Sequence, residues 1–114
     1  MRRRRLLGVV AVAAAALGTG TGTGCARPAP RTHIVEIQGF ALHPETLTVA
    51  VGDTVRWVNH DAVPHTATAG PDSARLFDSG SIPAGGEWSH VVPAGGANYF
   101  CIFHPTMRGV LVVQ

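Results

Sequence analysis

Near its C-terminus the chain reads Tyr99-Phe100-Cys101-Ile102-Phe103-His104-Pro105-Thr106-Met107. A thiol, an imidazole and a thioether thus stand at Cys101, His104 and Met107, each three residues from the next. Taken singly, each has a plainer role: a buried inert thiol, a solvated histidine, a methionine filling a gap in the core. Taken together they form a soft donor set, which favours copper over calcium, magnesium or manganese. Zinc accepts thiolate and imidazole but rarely a thioether.

Such a set must be aimed at one point. Cys101 closes one apolar run and Val110 opens another, so Cys101 to Met107 is expected to form a hairpin loop. A loop that turns on itself can converge three side chains, whereas a strand sends successive ones to opposite faces. The missing donor should be a second imidazole from elsewhere. His65 is the best candidate, because Asn59-His60-Asp61-Ala62-Val63-Pro64 leads into it and Pro64 stiffens the approach. His33, His43, His60 and His90 are read as structural or solvated, although His60 shares a loop with His65.

The elements that position these residues are strands. From Thr32 onward no segment carries a helical period. Short alternating runs are broken by turn residues instead: THIVEIQGF, TLTVAV, TVRWVN, HTATA after Pro64, RLFDSG, EWSHVV, ANYFC and GVLVV. About eight short strands at close spacing predict an all-β antiparallel sandwich or barrel. A domain of about 80 residues buries a limited core, here expected from Ile34, Ile37, Leu47, Val49, Val55, Trp57, Trp88, Val91, Phe100, Leu111 and Val113.

The first 24 residues stand apart from that domain: a basic head MRRRR, an apolar LLGVVAVAAAALG and a small-residue tail. That order reads as an export signal, the apolar run being too short to span a bilayer. Adjacent arginines followed by Leu6-Leu7 fit the twin-arginine route, and Sec export fits as well. Gly22-Thr23-Gly24-Cys25 is similar to the lipobox of bacterial lipoproteins, which would leave Cys25 acylated. Gly22, however, stands where such boxes usually carry leucine, and the alternative is an ordinary signal cleaved just beyond, after Ala26. Residues 25–31 read as a Pro-rich tether, and 32–114 as the folded domain. Without the signal the chain keeps five arginines, no lysine and seven acids, a formal charge of −2 that excludes nucleic acid as a partner. Cys25, in the processing site, is not expected to pair with Cys101. A lone thiol in an oxidising compartment is at risk of oxidation unless something is bound to it.

The stretches GFALHPETLTVAVGDTVRWVNHDAVPHTATA and YFCIFHPTMRGVLVV together resemble a cupredoxin, and within that family the amicyanin branch. The likeness covers essentially Thr32 to Gln114. It rests on the short Cys-x-x-His-x-x-Met loop, which plastocyanins and pseudoazurins lengthen between His and Met. It implies a cupredoxin-like Greek-key β-sandwich or barrel holding one type 1 copper ion. His65, Cys101 and His104 would be its trigonal ligands and Met107 the weak axial one. Asn59 falls where the family ties the two ligand loops together, and Thr66 where a backbone amide donates to the thiolate. Phe103 departs from the proline usual before the second histidine. Its amide is expected to supply another hydrogen bond close to the sulfur, and so a potential above that of a Phe103→Pro variant.

A fully ligated copper leaves no position for substrate, and the chain carries no Gly-rich phosphate loop or nucleophile–base pair. The expected function is therefore not enzymatic. It is an exported, monomeric electron carrier, anchored through lipid to the outer face of the cytoplasmic membrane or free in the periplasm or outside. The alternative is a module that stores or delivers copper. Electrons would pass through the edge of His104, among Phe103, Pro105, Thr106, Met107 and Pro64. Arg108, Asp61, Asp72 and Asp78 either steer partners or only solvate the surface. Transient redox proteins are the implied partners, and the amicyanin likeness implies an amine dehydrogenase as donor and a c-type cytochrome as acceptor.

Overall fold

The structure, a computed structural model, describes residues 28–70 and 76–114. The export signal, Cys25, the start of the tether and Asp72 lie outside the described residues. Eight strands follow one another: β1 (Thr32–Gln38), β2 (Ala41–His43), β3 (Thr46–Val49), β4 (Thr54–Asn59), β5 (Thr68–Ala69), β6 (Glu87–Val91), β7 (Ala97–Phe100) and β8 (Arg108–Val113). They build two four-stranded sheets, ordered β2-β1-β4-β6 and β3-β8-β7-β5, the all-β sandwich the sequence predicts.

Two of its strands differ from the expectation. Ala41–His43 is a strand in its own right because the chain reverses at Gly39-Phe40, with φ 62° and 56°. Leu76 to Gly80 is not a strand; it meets β5 through an isolated bridge between Thr68 and Asp78. Nor is the sandwich purely antiparallel. The chain changes sheet between β2 and β3 and returns with β4, which leaves β1 parallel to β4 and β3 parallel to β8.

Strand periodicity decides the core. In β4, Val55, Trp57 and Asn59 point inward while Thr54, Arg56 and Val58 alternate outward. In β1 the inward residues are Val35 and Ile37, so Ile34 is left on the surface. After β6 the buried residue is Val92, and Val91 is exposed. On β7 the buried residues are Ala97 and Tyr99, so Phe100 falls on the outer face; all three misassignments are one-residue slips, which at a period of two change the face. Trp57 is fully buried against Phe77, Trp88 and Tyr99, with ring centroids 5.4–5.6 Å away. Burying an aromatic of that size contributes roughly 4–6 kcal/mol. The exposed Arg56–Glu87 pair at 3.9 Å, which joins β4 to its neighbour β6, contributes about 0–1 kcal/mol, well below the burial of Trp57.

One carboxylate fastens the base of β4. Asp53, in the turn that opens β4, accepts the Arg31 amide at 2.9 Å and the Ala50 amide at 3.0 Å, and meets His33 Nε2 at 2.8 Å. The Arg31 and Ala50 amides, then His33, hold its carboxyl at about 2 instead of 3.8. A group whose folded pKa is depressed stabilises the fold above its unfolded value and loses that contribution as pH falls through the folded one. Stability should therefore drop between pH 4 and 2. An Asp53→Asn variant, less stable at neutral pH, should show a flatter acid limb in urea unfolding; parallel limbs would refute the assignment.

Candidate metal centre

Two loops approach each other at one end of the sandwich. The first runs from the end of β4 through Pro64 to His65. His65 does not begin a strand: it forms an isolated two-way bridge with Ile82, at 3.1 and 2.7 Å, ahead of β5. The second loop, Cys101 to Met107, is closed by its own backbone. The His104 amide donates to Cys101 O at 3.2 Å, the Met107 amide to His104 O at 2.8 Å and the Cys101 amide to Met107 O at 3.0 Å. Three such bonds, each contributing about 0.5–1.5 kcal/mol net, hold all three side chains on one tight turn between β7 and β8.

The side chains of the two loops converge. Cys101 Sγ lies 3.7 Å from His65 Nδ1 and 3.7 Å from His104 Nδ1, and the three donor atoms fall within 4.8 Å of one another. An ion bound at about 2.0–2.1 Å to nitrogen and about 2.3 Å to sulfur would hold N and S roughly 3.5–3.8 Å apart, between tetrahedral and trigonal angles. The spacing therefore fits a shared metal ion. His65 and Cys101 are fully buried and Met107 nearly so, while His104 is half-buried. A soft, largely dry donor set of this kind suits copper. Tyr99, two residues before Cys101, is buried among aromatic rings, and burial pushes its hydroxyl up to about 12. The larger surface concavity, around Asp53 and Gln114, shares no residue with this centre.

The surroundings differ in part from the expectation. The Thr66 amide donates to Cys101 Sγ at 3.3 Å, and Thr66 Oγ1 accepts the Ile102 amide at 2.9 Å. Thr66 is thus the residue that ties the two loops together. Asn59 does not bridge them. Lying on the inward face at the end of β4, it reaches sideways, its amide donating to Val63 O, Ile82 O and Pro83 O at 2.9–3.3 Å. The Phe103 amide makes no hydrogen bond to Sγ. The turn that closes on Cys101 O leaves that amide outside bonding geometry with sulfur, so the expected effect on potential loses its basis. Met107 is buried, whereas its loop neighbours Ile102, Phe103, Pro105 and Thr106 are exposed, as are Pro64 before His65 and Phe40.

Two residues escaped the sequence reading. Phe40 sets its ring edge-on to both histidines, 5.3 Å from His65 and 5.0 Å from His104. Its signal was Gly39 at the end of an alternating run, the mark of a turn. Among the described residues Phe40 alone is a non-glycine with positive φ, a conformation that costs on the order of 1–3 kcal/mol. Asp61, read as a surface charge, turns inward to His65 Nε2 at 2.8 Å. Burial pushes its carboxyl up, but the Phe40 amide, His65 and the Gly39 amide outweigh burial and hold it below the usual range. The other expected charges also have local partners: Asp78 accepts from Thr68 Oγ1 and the Gly80 amide, and Arg108 Nε donates to Pro105 O.

No model of a known protein family matches the chain. Amicyanin of Paracoccus denitrificans is 33% identical over 84 residues, which are 71% of this chain and 64% of that protein, so the chain spans less than two thirds of that relative. Among solved structures, a proline-to-phenylalanine mutant of amicyanin in its reduced state matches with a TM-score of 0.64 at 31% identity, over 73% of this chain and 82% of that one. A purple cupredoxin from Nitrosopumilus maritimus matches with a TM-score of 0.65 at 30% identity, over 71% of this chain and 98% of that one. Shared sequence, shared two-sheet fold and a converging thiol–imidazole centre lead to one conclusion: the chain belongs to the cupredoxin family.

Proposed function

We propose that this protein carries single electrons between redox partners through one type 1 copper ion, held by His65, Cys101, His104 and Met107. The observation that carries the reading is the buried Sγ set 3.7 Å from two imidazole nitrogens on two hydrogen-bonded loops. Bound copper supplies a one-electron Cu(II)/Cu(I) couple. The chain does the rest. Thr66 keeps the loops in register and donates to the thiolate, the closed turn fixes three donors, and burial excludes water. A site prepared in this way changes little between oxidation states, which suits transfer over chemistry on a bound molecule.

His104 is the half-buried donor, exposed Phe40 lies edge-on to it, and exposed Ile102 and Phe103 precede it in its loop. Partners would dock there through a small apolar face of the kind that releases quickly. In keeping with the leader and Cys25, the carrier is exported and tethered by lipid. An amine dehydrogenase as donor and a c-type cytochrome as acceptor follow from the likeness to amicyanin.

The test is an optical spectrum of the protein with Cu(II) added and then ascorbate. An intense blue band that bleaches on reduction and returns on oxidation is expected. A pale product, or copper released on reduction, would sink the carrier reading in favour of storage or delivery.

A further inference from the structure

The Asp61 carboxylate is engaged on three sides. Oδ1 accepts the Gly39 amide at 2.7 Å, while Oδ2 accepts the Phe40 amide at 3.0 Å and meets His65 Nε2 at 2.8 Å. Its own amide donates to Asn59 Oδ1 at 2.9 Å, so the residue is itself held by the buried end of β4. A strained turn and a histidine thus share one acceptor. The turn is left-handed at both residues, which glycine accepts freely and phenylalanine does not. What the strain secures is the position of the Phe40 ring, edge-on to His65 at 88° and to His104 at 86°.

We propose that Asp61 is a positioning residue for the metal centre, one carboxylate that fixes the tautomer of His65 and clamps the Phe40 turn against both histidines. This rests on the reading of those histidines as copper ligands. With Nε2–H donated to the carboxylate, Nδ1 keeps its lone pair facing Cys101 Sγ, as a ligating nitrogen must. A carboxylate in that place also makes the imidazole a stronger donor, which favours Cu(II) over Cu(I). A simple turn cap, by contrast, would need only the Gly39 and Phe40 amides and would leave the tautomer and the potential alone.

The experiment has three readings. In the metal-free wild-type protein, nitrogen NMR should find neutral His65 as the Nε2–H tautomer; an Nδ1–H or mixed tautomer overturns the proposal whatever any variant does. In Asp61→Asn, the Gly39 and Phe40 amides should exchange with solvent at least about tenfold faster, and unchanged exchange overturns the clamp. The copper-loaded variant should have a higher potential than wild type. The equilibrium with a one-electron mediator should move by about tenfold or more, which is 59 mV, and an unchanged potential overturns the role at the centre. Failure of the site reading is separable, since it would appear as a wild-type protein without the blue band while the tautomer and exchange results still stand.

Discussion

Replacing Cys101 with serine should abolish the intense visible band on addition of Cu(II) while leaving the metal-free fold in place. The two parts have different causes. The band needs a thiolate bonded to the ion, and Cys101 Sγ is the sulfur set between the two Nδ1 atoms. The hydroxyl of serine is a harder donor, poorly matched to a soft site. The fold asks less of this residue. A serine oxygen can accept the Thr66 amide that Sγ accepts at 3.3 Å, so the change in stability should stay within about 1–3 kcal/mol, the range for a disturbed buried hydrogen bond. Copper titration followed by absorbance, with circular dichroism of the same samples, separates the two. Cys25 is the other cysteine of the chain, and Cys25→Ser serves as the control that should keep its colour. An intense band surviving in Cys101→Ser would remove the thiolate from the assigned centre.

The largest loss of stability should come from a methyl group. Gly109 lies buried on β8, directly opposite Tyr99 on β7, and the Tyr99 ring occupies the space a Cβ at Gly109 would take: its Cζ, Oη and Cε1 are the nearest atoms. That ring is 2% exposed and packed against Trp57 and Phe77, so it cannot swing aside without repacking the aromatic core. Overpacking of this kind costs about 1–3 kcal/mol and occasionally more. A rigid ring with no free volume puts Gly109→Ala at the upper end. For a domain of this size about 3 kcal/mol lowers Tm by roughly 12–24 °C, readable by thermal denaturation of the metal-free protein. In a Tyr99→Ala background the same methyl should cost much less. Additive losses in that double-mutant cycle would show that the ring is not the obstacle.

Much of the centre is legible in the chain because its donors are local. Cys101, His104 and Met107 sit on one loop whose closure depends only on residues between them, so spacing alone brings them together. The hydrophobic alternation of β4 is equally local, and it predicts both the inward Trp57 and the strand that ends at Asn59. Elsewhere alternation identifies strands but not their phase: Ile34 and Val35, or Val91 and Val92, are apolar neighbours. Only the opposing sheet decides which of each pair is buried, since one step of register exchanges the faces.

What the sequence by itself determined, then, is the all-β class, the donor types and the candidate set, each a matter of residue identity and short-range spacing. The tertiary structure alone decided how those donors are held. The parallel pairing of β1 with β4 and of β3 with β8, the bond from the Ile102 amide back across 36 residues to Thr66 Oγ1 and the reach of Asp61 across 22 residues to Gly39 all join distant segments. A hydrogen bond between such segments depends on where the whole chain has been packed, and neither partner's neighbours in sequence carry that information.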